Sequence, residues 1–239
     1  HMKLVKSISF TANETQQVIL QSMSLAASKL WNVGNYEKRT YKEQGLDSFP
    51  NWYDQKKRLK THYWFKVFIL LTRFPGNGSK VLGAITGCYY THASIGLEED
   101  MNTFYSFVCK GFIVEKITRY IKPDREPFPC LLYELSVSEQ VYQAIKGILV
   151  CFVENRPFLR YTRFGVILCL LYIPYKRRYH YYCSFFVAEA LLHSKAICLH
   201  KDCALYLPDD FRSLPGIQLN FQSNLQSMMN HFGLLPCAV

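Results

Sequence analysis

The chain has 239 residues, with 28 Lys and Arg against 18 Asp and Glu and a formal charge of +10. A composition of 49% apolar and 19% charged residues excludes a disordered chain. The most apolar run, Phe164 to Pro174, falls well short of the ~18–20 residues that a bilayer-spanning helix needs.

The charge is uneven: residues 1–66 carry 11 basic against 5 acidic residues, and the rest carry 17 against 13. Lys3 to Phe10 alternates polar and apolar residues as a strand does. Thr11-Ala12-Asn13-Glu14 then starts a helix whose apolar stripe includes Val18, Met23, Leu30 and Val33. Asp47 to Asn51 breaks the pattern and Trp52 to Phe65 resumes it, predicting a helical hairpin. Along the second helix, Lys56, Lys57, Arg58, Lys60 and Lys66 interleave with Trp52, Tyr53, Tyr63 and Trp64. That mixture suits phosphate neutralisation with base stacking, or a solvated face over an aromatic core.

The segments Leu30-Trp31-Asn32-Val33-Gly34-Asn35-Tyr36 and Phe49-Pro50-Asn51-Trp52-Tyr53 resemble the N-terminus of TnpB/OrfB proteins, the transposon-encoded RNA-guided nucleases. The resemblance covers residues 3–66. It implies a fragment without the family's acidic nuclease centre or zinc ribbon, at most a nucleic-acid contact through Lys56, Lys57, Arg58, Lys60, Trp52 and Tyr53. Composition changes abruptly after Lys66, where Val67 to Thr72 reads as a buried strand. Two domains are expected, 1–66 and 67–239.

Beyond the first strand, a turn-rich loop at Arg73 to Gly78 precedes a short helix over 79–87. Strands over Thr91–Leu97 and Thr103–Val108 flank the acidic turn Glu98-Glu99-Asp100, predicting a hairpin. A further strand is expected over Cys130–Val137, then a helix from its cap Ser138 to about Asn155. The apolar run over 162–172 reads as a buried helix and membrane contact is not expected, although the adjoining Lys176-Arg177-Arg178 is the kind of cluster that touches anionic lipid. A helix over 184–192 follows. Asp209 is expected to cap a short helix, and no chemistry is assigned to the tail from Ser223 onward. The fold class is α+β.

Nine cysteines occur without a C-x-x-C pair, so zinc-ribbon and thioredoxin chemistry are not indicated. Cys198 and Cys203, with His193 and His200, fit no common zinc spacing. No metal or cofactor is expected. Cys183 is distinguished by its place where Tyr182 gives way to the helix beginning Ser184-Phe185-Phe186. Unpaired N–H groups and the helix dipole favour a thiolate there and supply oxyanion donors. His92 lies 91 residues upstream, on the strand face of Tyr90 and Ser94. A Cys–His pair needs a third group to orient the imidazole. Ser106 is the expected residue, with Tyr105 and Glu98 as alternatives. The oxyanion would meet the Cys183 N–H and a hydroxyl of Tyr89, Tyr90 or Tyr182, with Ser184 lining the pocket.

Thr91-His92-Ala93-Ser94 followed by Tyr182-Cys183-Ser184-Phe185-Phe186-Val187-Ala188-Glu189 resembles the circularly permuted papain-fold cysteine peptidases and amidases, relatives of the NlpC cell-wall hydrolases. There the histidine strand precedes the nucleophile helix. Over about residues 67–220 the resemblance implies an antiparallel sheet packed with helices, a thiol nucleophile at Cys183 and a histidine base at His92. Relatives often place an acidic or imidazole side chain behind the histidine. The implied activity is hydrolysis of an amide or ester bond. Without a signal peptide in the sequence, the expected location is the cytoplasm.

Overall fold

Val67 to Leu71 is an unbroken apolar run because it lies at the centre of a sheet covered on both faces. It belongs to β1 (Trp64–Thr72), which pairs antiparallel with β2 (His92–Leu97) on one side and β5 (Pro129–Ser138) on the other. The computed structural model describes residues 64–122 and 124–234, together with residues 35, 38–40, 42 and 43. The chain divides into two compact units, His1–Tyr63 and Trp64–Val239. In the first, residues 35 and 38–40 are helical. In the second, β1 starts earlier than expected. Trp64 and Phe65 are strand rather than the end of a helix, and Lys66 Nζ pairs with Glu134 on β5 at 3.0 Å.

The six-stranded sheet runs β4-β3-β2-β1-β5-β8, antiparallel throughout, with β3 (Thr103–Val108), β4 (Gly111–Lys116) and β8 (Ile217–Asn224). β4 and β8 were not expected. The tail from Ser223, to which no chemistry was assigned, completes β8 and continues as a short helix, Leu225–His231. The other helices are α1 (Asn77–Thr86), α2 (Glu139–Glu154), α3 (Arg163–Leu170) and α4 (Cys183–His193), so the 225–231 helix is α5. A two-stranded parallel pair, β6 (Arg160–Tyr161) and β7 (His180–Tyr181), brackets α3.

Each sheet face has its own core. On one, α2 and α4 pack over Val67, Ile69, Ile95, Phe107 and Phe112. Phe186 of α4 is wholly buried among Phe107, Phe112 and Phe152, with ring centroids 4.8–5.5 Å apart. On the other, Phe68, Leu70, Phe104 and Leu132 meet Met228 and Met229 of α5. Ser138 caps α2 as expected, accepting from the Val141 N–H. Asp210 rather than Asp209 closes the turn at Pro208–Ser213, accepting from the Leu207 N–H at 2.6 Å and from Lys201.

Two glycines fix the half of the sheet that carries the site. Gly111, at φ 106, ends the tight turn between β3 and β4, and a Cβ there would come within 2.9 Å of the Leu159 carbonyl oxygen. Gly96 pairs with Phe104, whose ring lies where a Cβ at Gly96 would be, 2.7 Å from the nearest ring atom. We expect Gly96→Ala to push that ring away and lower stability by about 1–3 kcal/mol. Urea denaturation reads this directly, and an unchanged midpoint would show that the ring yields without cost.

Candidate active site

His92 is the first residue of β2, and Cys183 is the first residue of α4. Between His92 and Ser94, β2 is not paired with β3, since their ladder covers only Ile95–Tyr105 and Gly96–Phe104. This splayed corner receives the N-terminus of α4. The Ala93 and Ser184 N–H groups and the His92 ring all lie close enough to the Cys183 sulfur to favour its ionised form. Helix geometry leaves the Cys183 N–H without a partner inside its own helix. Both side chains are nearly enclosed, at 7% exposure for Cys183 and 6% for His92.

Behind the ring stands Glu115. Its Oε1 lies 2.8 Å from His92 Nε2, and both side chains are buried. Glu115 projects from β4, opposite Phe104 of β3, and so reaches His92 from two strands away on the same face of the sheet. Phe74 packs edge-on against the imidazole at 5.1 Å and touches Tyr120 and Phe128 in turn, forming an apolar wall beside the ion pair. Burial first, and then the Glu115 charge, push the Tyr120 phenol up to about 12.

These neighbours set the titration of the pair. Burial alone would lower the His92 pKa, but the Glu115 carboxylate and the thiol outweigh it and raise the pKa to about 10. For Cys183, burial opposes ionisation. The hydrogen bond and charge of His92, with the Ala93 and Ser184 N–H groups, bring the thiol below its ordinary value. Both shifts favour a thiolate beside an imidazolium over the neutral pair. Cys169 and Cys203 differ: burial raises both, Cys203 to about 11.

The other expected residues lie elsewhere or do other work. Ser106 shares the face of His92, but its hydroxyl donates to the Ala93 carbonyl at 2.6 Å and bridges the splayed strands. Tyr105 points to the opposite face, stacked on Phe112. Glu98 lies at the far end of β2, accepting from the Lys66 N–H. The Tyr182 hydroxyl donates to Ala204 O at 2.5 Å and the Ser184 hydroxyl to Tyr206 O at 2.6 Å, so both anchor α4 to the 203–206 segment. Tyr90 is buried in the larger core, with Tyr89 edge-on against it under Arg73. Asp209 takes the Tyr89 N–H at 3.1 Å, pinning the segment that leads into β2. The basic and aromatic residues Lys56, Lys57, Arg58, Lys60, Trp52 and Tyr53 lie outside the described residues.

Two site residues were not anticipated. Glu115 is one. The other is Tyr161 on β6, half-buried and close enough to the thiol that, after burial, the Cys183 charge is the next cause raising its pKa. Neither a protein-family model nor a curated protein sequence matches the chain.

Proposed function

We propose that the second unit is a thiol-dependent hydrolase of the permuted papain-like class, acting on an amide or acyl-ester bond. The observation that carries this reading is the unbroken line from Glu115 through His92 to a thiol at a helix N-terminus. The order of the chain, histidine strand before cysteine helix, and the antiparallel sheet packed with helices accord with it.

The Cys183 thiolate attacks the carbonyl carbon, forming the C–S bond and moving the carbonyl electron pair onto oxygen. The Cys183 N–H and the Tyr161 hydroxyl are the donors assigned to that oxyanion in this reading. As the oxyanion collapses, the bond to nitrogen or oxygen breaks and the imidazolium of His92 protonates the leaving group. Water then attacks the thioester with neutral His92 taking its proton. The acid is released and the ion pair restored. Glu115 holds the ring and stabilises its charged form throughout.

Limited alkylation of the folded protein with iodoacetamide, followed by mass mapping, tests the nucleophile. Cys183 is expected to label faster than exposed Cys109, Cys151 and Cys198 despite its burial. Labelling of Cys183 no faster than these three would remove it as the nucleophile.

A further inference from the structure

Helix α3 is amphipathic in the inverted sense. Gly165 and Cys169 face the core, whereas Phe164, Ile167 and Leu171, at i, i+3 and i+7, are 57%, 55% and 63% exposed. The closing turn extends the stripe, with Tyr172 and Ile173 at 68% and 49%. Tyr172 holds φ 59, the left-handed position that usually falls to glycine, while its N–H bonds to Cys169 O and that of Ile173 to Leu168 O. Five large apolar side chains thus stand in solvent on one short helix and its turn. The run read from sequence as a buried helix is buried on one side only.

The chain segment that carries the stripe is basic. Between Asn155 and Ala188 the chain has six basic residues and no acidic one. Lys176 is paired with Asp202 at 2.9 Å, and Arg160 donates to the Pro157 and Leu159 carbonyls. Arg163, Arg177 and Arg178 are exposed, the last lying over the Tyr179 ring at 4.8 Å. An apolar stripe edged by exposed arginines matches a layer that is negative at its surface and apolar beneath. A nucleic acid would use the arginines but gain nothing from Ile167 and Leu171. Among the described residues no helix is long and apolar enough to cross a membrane, so the contact would be interfacial.

We propose that this face, α3 and the basic turn after it, docks on anionic lipid. The inference goes beyond the hydrolase reading and does not depend on it. The test is co-sedimentation of the full chain with vesicles of phosphatidylcholine alone or mixed with phosphatidylserine. The expected result is pelleting with the phosphatidylserine vesicles, weakened by salt and absent with phosphatidylcholine alone. Changing Phe164, Ile167 and Leu171 together to Ser, or Arg163, Arg177 and Arg178 together to Ala, should each weaken it roughly tenfold. All six side chains are exposed, so unchanged thermal unfolding verifies the fold. Because the basic N-terminal residues are present in every variant, their contribution cancels. Equal pelleting of parent and both variants would overturn the proposal. So would single-stranded RNA binding lost in the arginine variant while the vesicles stay unbound.

Discussion

Replacing Glu115 with Gln is expected to lower hydrolysis of a p-nitrophenyl ester roughly 100-fold while leaving the fold in place. Glutamine keeps the shape and an acceptor for His92 Nε2 but removes the negative charge. The imidazole then loses the partner that offsets its burial, reverts toward its neutral form, and no longer stabilises the thiolate. Ser106→Ala is the contrasting variant. Its hydroxyl holds the Ala93 carbonyl rather than the ring, so it should cost about 1 kcal/mol of stability and little rate. Steady-state kinetics with urea unfolding separates the two. Parental rates in Glu115→Gln, or the larger rate loss in Ser106→Ala, would sink the assignment of Glu115 as the orienting group.

The pH dependence of that hydrolysis is the second large effect. Cys183 sits below its ordinary value of 9.0 and His92 is raised to about 10. As pH rises, the rate should climb while Cys183 ionises, below the range of a free thiol. It should then hold level and fall as His92 loses its proton near pH 10, because a neutral imidazole cannot protonate the leaving group. Alkylation needs only the thiolate and should show the rising limb without the fall. In Glu115→Gln the acid limb should move up and the alkaline limb down, narrowing the window from both sides. A rate that climbs without limit through the ordinary thiol range would mean that no ion pair forms.

His92 and Cys183 were readable because each lies at the start of an element whose pattern is local. Period two places His92 at the head of β2, and the aromatic-to-helix change at Tyr182 marks the start of α4. Glu115 was hidden because β4 does not alternate. Gly111-Phe112-Ile113-Val114 is a continuous apolar run, and its Cys109-Lys110 turn lacks the usual hairpin residues. A lone carboxylate closing such a run was the available signal, since burying it demands a cationic partner. Ser106 has the right face but sits on the adjacent strand, where its short side chain meets the β2 backbone instead of the ring. For Phe164 to Ile173, hydropathy recorded that the residues are apolar but not which way the helix turns them.

The ion pair itself is accessible to a direct titration, the ultraviolet thiolate absorbance of the parent minus that of Cys183→Ala across pH. The account predicts a difference signal that develops below pH 9.0, the ordinary thiol value, and is moved toward that value by Glu115→Gln. A difference signal that first appears at or above pH 9.0, the ordinary thiol value, in both proteins would contradict it.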